Sequence, residues 1–295
     1  MAYLSGTATY LRSVMHNKNL KMNRLFEFLI LSAVILSNTQ CKSVRNIEGT
    51  KNIHESQIKI EQVNSSYLSE SREISLYIPS INSDDKNIPV VYATDGQLFV
   101  KEYKRELDSL IENNQIPKLF IVGVHSDDRQ IEDTDFSYRN YEYIKSYSDE
   151  EDEQLSTLFK NHYNFFSKEL LLHIQERYPV SVQPKDRIFY GFSNGAGFGI
   201  SLATDNPSLI SNYICMSMAG GSYETLNWDD DNYPNIILSY GSEEPFPLTM
   251  QIDEYSGFLK EKNINHTFYK YEGGHDREKW KLEFLKSLKL IFESK

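Results

Sequence analysis

Short apolar runs that suit buried β-strands alternate along this chain with segments that suit helices, and this alternation restricts the possible folds most. The strand-like runs are rich in β-branched and aromatic residues and lie at residues 74–78, 90–94, 119–124, 187–190, 213–217, 236–240 and 267–271. The helix-like segments lie at residues 99–112, 155–178, 194–204, 251–262 and 277–292. The alternation predicts an α/β fold, in which helices flank a mainly parallel sheet.

One of the strand-to-helix junctions reads Gly191-Phe192-Ser193-Asn194-Gly195, which fits the pattern G-x-S-x-G. In this pattern the serine lies on a sharp turn between a strand and a helix, and the glycines let the backbone pack closely. The turn holds the serine hydroxyl out at the carboxyl end of the sheet. Ser193 is therefore the candidate nucleophile.

A serine nucleophile needs a base, and the base needs a carboxylate that orients it. Of the seven histidines in the chain, His266 and His275 lie beyond Ser193, where the chain order serine, acid, histidine would place the base. His275 follows two glycines at the carboxyl end of a strand, where catalytic loops gather, and is the candidate base. His266 lies beside the start of that strand and is interpreted as a surface residue.

The acid is expected directly after the strand at residues 236–240, where the chain continues with the sequence GSEEP. This segment contains two carboxylates, Glu243 and Glu244, and either of them could reach His275. Asp253 is a more distant third candidate.

An oxyanion hole needs two backbone N–H groups that point at the developing charge. One should come from Asn194, directly after the candidate nucleophile. The second should come from the loop that follows the strand at residues 90–94, where Gly96 would let the amide of Gln97 turn inward. The alternative for this loop is an ordinary Asp-Gly turn.

Composition argues against several classes of function. The chain carries 42 acidic and 31 basic residues, a net charge of −11, which does not suit a nucleic-acid partner. The acidic run at residues 149–153 is interpreted as a solvated loop or helix start. No phosphate-binding loop, dinucleotide fingerprint or zinc-ligand cluster is present in the sequence, so neither a cofactor nor a metal is implied.

The N-terminal region has the order of a bacterial export signal. Lys21 and Arg24 precede a mostly apolar stretch at residues 25–36, which is too short to span a membrane but suits the core of a signal peptide. Cys41 follows soon after and resembles the cysteine that becomes lipidated in bacterial lipoproteins. Cleavage without lipidation is the alternative, which would leave a periplasmic or secreted protein.

These features predict three regions. Residues 1–40 form a signal segment, of which residues 1–21 are untranslated if synthesis starts at Met22; residues 41–56 form a polar tether; and residues 57–295 form the folded domain. We therefore expect an extracytoplasmic protein of the bacterial cell envelope, attached to the membrane only through Cys41. The second cysteine, Cys215, lies in an apolar run and is expected to be a buried, inert thiol.

Five segments together resemble the esterase family that includes enterochelin esterases, esterase D and bacterial feruloyl and acetylxylan esterases. They are VVYATDGQLF (residues 90–99), LFIVGV (119–124), YRNYEY (138–143), FYGFSNGAGFG (189–199) and EGGHDREKW (272–280). The resemblance extends from about residue 62 to the end of the chain. It implies an α/β-hydrolase fold.

The resemblance also implies roles for individual residues. It places the nucleophile at Ser193 and the histidine at His275. The family's acid lies three places after the glycine that ends its strand, which favours Glu244 here, although Asp is commoner in the wider family. Asn194 and the Asp-Gly-Gln loop that ends at Gln97 match the family's oxyanion positions.

Two further matches concern support of the site. Arg139 and Glu142 correspond to a recurrent Arg-x-x-Glu pair, which either supports the active site or simply braces a loop as an ion pair. Asp276 and Trp280 are expected to cap and pack the last helix.

The leading functional hypothesis is therefore a serine carboxylic-ester hydrolase that forms an acyl-enzyme on Ser193. By analogy with the family, its substrates would be carbohydrate-linked acyl esters or siderophore esters. One alternative is an acyltransferase of the same fold, which passes the acyl group to a sugar. The other is a surface lipoprotein that kept the fold for binding and lost turnover.

Overall fold

The computed structural model describes residues 53–149, 152–226, 228 and 233–293. Cys41, the predicted signal segment and most of the predicted tether lie outside the described residues. The strands are Gln57–Asn64 (β1), Ser71–Ile78 (β2), Val90–Ala93 (β3), Phe120–Val124 (β4), Arg187–Phe192 (β5), Asn212–Met216 (β6), Asn235–Gly241 (β7) and Thr267–Tyr271 (β8). Within the described residues they form one eight-stranded sheet in the order β1-β2-β4-β3-β5-β6-β7-β8.

The α-helices connect these strands. They are Val100–Glu112 (α1), Tyr138–Tyr143 (α2), Glu153–Ser156 (α3), Leu158–Asn164 (α4), Leu171–Arg177 (α5), Asn194–Asp205 (α6), Phe246–Glu261 (α7) and Arg277–Glu293 (α8), with a π-helical segment, Phe165–Leu170, between α4 and α5. Among the described residues, no helix is both long enough and apolar enough to cross a bilayer.

The direction of the strands brings the chemically important loops to one edge of the sheet. β1 and β2 run antiparallel to each other, and β2 runs antiparallel to β4. All strand pairs from β4 through β8 are parallel. Because parallel strands end at the same edge, the loops after β3, β5, β6, β7 and β8 are neighbours there.

The core lies on both faces of the sheet, as expected for strands covered by helices on each side. In β3, Val90 and Tyr92 belong to one buried cluster, whereas Val91 and Ala93 belong to the other. This alternation follows from the two-residue period of a strand. The α/β-hydrolase fold with a mainly parallel sheet, predicted from the sequence, is confirmed.

Several elements differ from the prediction, among them the short helix α2, which was not predicted. The helix expected over residues 155–178 is interrupted at Thr157 and contains the π-helical segment, in which the Ser167 hydroxyl donates to the Tyr163 carbonyl oxygen at 2.6 Å. Helix α7 begins at Phe246, five residues before the expected residue 251, because Pro247 lies within its first turn, where proline is tolerated. Strand β1 was not predicted: it is an edge strand with mostly exposed or half-buried side chains, so its sequence lacks the signal of a buried strand.

Candidate active site

Ser193 lies between β5 and α6 in a strained backbone conformation. Its φ of 54° and ψ of −131° fall in a region that residues other than glycine rarely adopt. Two hydrogen bonds to the next strand and loop hold it there: Ser193 N donates to the Met216 carbonyl at 2.9 Å, and Ala219 N donates to the Ser193 carbonyl at 3.1 Å. The sharp strand-to-helix turn is the local structure that the G-x-S-x-G pattern predicts.

His275 lies in the loop between β8 and α8 and is paired with one carboxylate. Its Nδ1 is 3.1 Å from Glu244 Oε2, and its ring is about one third exposed while the carboxylate is fully buried. The second ring nitrogen, Nε2, is therefore the one available for proton transfer. The structure thus brings together two of the residues that the sequence singled out.

Three further hydrogen bonds fix the other oxygen of the Glu244 carboxylate. Oε1 accepts from the Ser217 hydroxyl, from the Tyr271 hydroxyl at 3.1 Å and from the Gly241 backbone N–H at 3.0 Å. Burial opposes the charged form, but the hydrogen bonds from His275, Ser217 and Gly241 outweigh it and lower the pKa of Glu244. The carboxylate is therefore held ionised and in a fixed orientation.

The two other candidate acids do not reach His275. Glu243 is exposed, and its backbone N–H donates to the Gly273 carbonyl at 2.9 Å. Asp253 accepts from the Tyr240 hydroxyl at 2.8 Å and lies 3.6 Å from Lys270 Nζ. The geometry therefore selects Glu244 from the three carboxylates.

Trp280 does more than pack the last helix. Its indole N–H donates to the Ser217 hydroxyl at 2.8 Å, and its ring stacks on Phe192 with centroids 4.5 Å apart. The Trp280 and His275 rings are nearly perpendicular, with centroids 4.6 Å apart. One side chain thus contacts the histidine and the serine that supports Glu244. Asp276 caps the helix as expected, since its carboxylate accepts from the Lys279 backbone N–H at 3.1 Å.

The Asp-Gly-Gln loop follows β3 and begins with a left-handed residue. Asp95 has a φ of 57° and is fully buried. The left-handed residue of this loop is thus Asp95, and Gly96 does not take a positive φ. Gly96 is needed for close approach instead, because a Cβ there would lie 2.1 Å from the Gly123 carbonyl oxygen. Gln97 then lies in a 3₁₀ turn at the edge of the sheet, and its side chain donates to Asp128 at 3.1 Å.

Arg139 and Glu142 do not pair with each other. Arg139 forms two hydrogen bonds with the Asp95 carboxylate, at 2.6 and 2.8 Å. Glu142 is buried and forms two with Arg72, at 2.6 and 3.0 Å. Burial raises the pKa of Glu142 although Arg72 opposes the shift. The expectation of one ion pair is corrected to two, each joining α2 to a different part of the molecule.

Some residues of the site were missed from the sequence. Ser217 and Tyr271 touch Glu244, yet each looks like an ordinary residue at the end of a strand. Their position at the carboxyl ends of neighbouring parallel strands was the available signal. Arg72 gave no signal, since it lies in the antiparallel strand β2, 70 residues before Glu142 in the chain. In the part of the chain that the structure describes, no group of three or more His, Cys, Asp or Glu side chains is placed to hold a metal ion.

Comparisons with known proteins agree with this fold. The fold and the serine at the turn define an α/β-hydrolase of the esterase type. Residues 65–291 match the model of the Esterase family, whose description is "Putative esterase". The match covers more than half of the chain, so this protein belongs to that family, which is a family of carboxylic ester hydrolases.

Individual relatives are distant in sequence. The uncharacterized protein YbbA of Bacillus subtilis is 23% identical over 195 residues, which are 59% of this chain and 69% of that protein. The structure of a ferulic acid esterase superposes with a TM-score of 0.65 at 15% identity, covering 81% of this chain and 98% of that one. An enterochelin esterase from Shigella flexneri superposes with a TM-score of 0.61 at 15% identity, covering 80% of this chain and 58% of that one. At these identities the structural similarity establishes the fold.

Proposed function

We propose that this protein hydrolyses carboxylic esters through an acyl-enzyme on Ser193, with His275 as the base and Glu244 as the acid that orients it. The observation that carries the proposal is the 3.1 Å contact between His275 Nδ1 and the buried, ionised Glu244, at the same sheet edge as the strained Ser193. A buried carboxylate on Nδ1 fixes the imidazole tautomer and stabilises the imidazolium that forms during the reaction.

The proposed reaction proceeds in two steps. The Ser193 oxygen attacks the ester carbonyl while His275 Nε2 accepts its proton, and the backbone N–H groups of Gln97 and Asn194 stabilise the oxyanion. The intermediate collapses, His275 returns the proton to the leaving alcohol, and the acyl group stays on Ser193. A water molecule, activated by His275, then attacks the acyl-enzyme and releases the acid.

We propose carbohydrate-linked acyl esters or siderophore esters as the natural substrates. This proposal is supported by the names of two structural relatives, the ferulic acid esterase and the enterochelin esterase. A panel of esters from acetyl to feruloyl, together with a siderophore lactone, separates these substrate classes by their kcat/KM values. Measuring released acid with and without an added sugar acceptor distinguishes hydrolysis from acyl transfer.

We also propose that the protein acts outside the cytoplasm of a bacterial cell, attached to a membrane through a lipid on Cys41. The support is the order of a basic segment, a short apolar stretch and a cysteine in the sequence. An esterase in that place would meet polymers or siderophores that arrive from outside the cell.

Ser193→Ala tests the proposed nucleophile. The rate of hydrolysis of p-nitrophenyl acetate should fall by at least about a thousandfold, because removal of a triad member leaves only binding and oxyanion stabilisation. Wild-type protein should also be labelled stoichiometrically by a fluorophosphonate, and the variant should not. Ser201→Ala on the same helix is the control and should be labelled normally. A Ser193→Ala enzyme with near-normal rate would exclude the proposed mechanism.

A further inference from the structure

The carboxylate of Asp95 is buried beside the proposed oxyanion hole. Asp95 lies two residues before Gln97, is fully buried, and its left-handed backbone turns the loop toward the edge of the sheet. Its backbone N–H donates to the Tyr143 hydroxyl at 3.4 Å. An αL conformation is uncommon for residues other than glycine, although aspartate adopts it more readily than most, and the surrounding contacts help to hold Asp95 there.

The same carboxylate also packs against the turn that carries the nucleophile. A Cβ on Gly195 would lie 2.9 Å from Asp95 Oδ2 and 2.2 Å from the Thr94 hydroxyl. Gly195 directly follows Asn194, the second proposed oxyanion donor. Asp95 therefore lies between the two backbone segments whose N–H groups would form the hole.

A buried negative charge at this place works against catalysis unless it is neutralised. The tetrahedral intermediate develops its own negative charge nearby, and repulsion between buried charges is weakly screened. Arg139 supplies the neutralising charge through two hydrogen bonds of 2.6 and 2.8 Å to the two oxygens of Asp95. The guanidinium lies over the Tyr143 ring at 4.9 Å and is only 16% exposed.

Helix α2 holds Arg139 in a fixed place. The backbone N–H of Arg139 donates to the Asp127 carbonyl at 2.7 Å. A capping box between Ser137 and Asn140 closes the start of the helix. One turn later, the buried Glu142 ties the same helix to Arg72. The three-residue spacing of Arg139 and Glu142 thus allows one short helix to hold two ion pairs at once.

We propose that Asp95 and Arg139 form a positioning pair for the oxyanion hole. The ion pair fixes the left-handed turn before Gln97, sets the distance between this loop and the Asn194 turn, and cancels the charge of Asp95 where the oxyanion forms. The inference rests on the proposed function, because it assigns the hole to Gln97 and Asn194.

The test is a double-mutant cycle of Asp95→Asn and Arg139→Gln, with p-nitrophenyl acetate as substrate and phenylboronic acid as a mimic of the tetrahedral intermediate. Arg139→Gln should lower kcat by about a hundredfold, the usual scale for loss of oxyanion stabilisation, and change KM by less than about threefold. Its affinity for phenylboronic acid should fall in parallel. Adding Asp95→Asn should restore kcat at least about tenfold, because the uncompensated charge is removed.

Arg129→Gln is the matched control. Arg129 also pairs with an aspartate, Asp127, at the same edge of the sheet, but its side chain is 66% exposed. This variant should keep kcat within about twofold of wild type, since exposed ion pairs contribute little. Near-UV circular dichroism verifies folding, and if Arg139→Gln does not fold, Arg139→Lys replaces it. Arg139→Lys keeps the charge but loses the two-point contact, so kcat and boronate affinity should fall together.

The outcomes separate the inference from the function on which it rests. If Arg139→Gln or its substitute keeps wild-type kcat, or if Asp95→Asn brings no recovery to a folded Arg139→Gln variant, the positioning pair is refuted. If Ser193→Ala is inactive in the same assay, Ser193 remains the proposed nucleophile even when the positioning pair is refuted. If Ser193→Ala is fully active, both the proposed mechanism and this inference fail.

Discussion

Glu244 illustrates how a single residue can be both buried and charged. Its side chain is fully shielded from water, which alone would favour the neutral acid. Hydrogen bonds to both oxygens, from His275 on one side and from Ser217 and the Gly241 N–H on the other, outweigh burial and lower the pKa of the carboxylate. The Tyr271 hydroxyl donates to the same oxygen as Ser217. Each hydrogen bond that keeps Glu244 ionised also restricts the rotation of its side chain. The same hydrogen bonds therefore fix both the charge of the carboxylate and its orientation toward His275.

This geometry predicts that Glu244 and Glu243 respond differently to the same substitution. Glu244→Gln should lower kcat/KM for p-nitrophenyl acetate by about a hundredfold or more, because an amide cannot stabilise the imidazolium. Glu243→Gln, a change of the same size in the adjacent exposed residue, should leave it close to wild type. Thermal unfolding of both variants excludes loss of structure as the cause. A reversed ranking would transfer the role of the acid to Glu243, and equal effects would contradict the selection of Glu244.

How far such residues are predictable depends on where their partners lie in the chain. Ser193 and His275 can be recognised from the local sequence, because each lies beside glycines in a turn that follows a strand. The choice of Glu244 over Glu243 needed family resemblance, because adjacent carboxylates look alike until burial separates them. Ser217 was not found, since its contact with Glu244 joins residues 27 positions apart.

At the scale of elements, the chain between α3 and α5 shows why helix boundaries were predicted less well than helix existence. Apolar residues recur through this whole region, so the pattern indicates one helix. The π-helical segment Phe165–Leu170 continues the buried apolar face of this region, and an apolar pattern does not distinguish its wider turn from an α-helical one. Helix α2 was missed because its six residues are too few to show a period.

Helix α4 carries a histidine whose environment predicts acid sensitivity. His162 is completely buried, and neither of its ring nitrogens has a hydrogen-bond partner among the residues that the structure describes. Its ring packs against Tyr143 and Phe198, with centroids 5.2 and 5.0 Å away. Burial first, and then the nearby charge of Arg72, hold the pKa of His162 well below its ordinary 6.5. The facing carboxylate of Glu142, 3.9 Å away, is already bound by Arg72.

We expect His162→Phe to make the protein more resistant to acid. Below pH 6.5 the unfolded chain binds a proton at His162 that the folded chain does not, so stability falls with falling pH by up to about 1.4 kcal/mol per unit. His162→Phe should lose this dependence of stability on pH. The contribution of Glu142 to the pH dependence remains in both proteins. Urea unfolding between pH 7 and pH 5 measures how the free energy of unfolding changes with pH. The control is His54→Gln, a substitution of an exposed histidine. Identical slopes for wild type and His162→Phe would contradict the prediction.

At the scale of the whole molecule, the order of the strands assembles the site. The loops after β3, β5, β6, β7 and β8 follow each other along the sheet and carry the proposed oxyanion loop, the candidate nucleophile, Ser217, Glu244 and His275 in that order. Each strand is about 4.8 Å from the next, so residues far apart in sequence become neighbours without long loops. Strand alternation in the sequence predicts the sheet, but the order β4-β3-β5 and the antiparallel edge depend on packing that no local pattern contains.

The last prediction concerns where the whole chain resides. If Cys41 is lipidated after removal of the signal segment, the full-length protein expressed in bacteria should fractionate with membranes, enter the detergent phase of Triton X-114 and incorporate labelled palmitate. Cys41→Ser should be soluble, because no acyl chain can then be attached. Cys215→Ala is the matched control: this buried thiol lies in the core of the domain, so its loss should leave the protein with the membranes. The sequence Asn38-Thr39-Gln40 lacks the small residues usual before such a cysteine. Cleavage without lipidation would therefore show as equal solubility of wild type and Cys41→Ser, and that result would make the esterase a periplasmic or secreted protein instead of an anchored one.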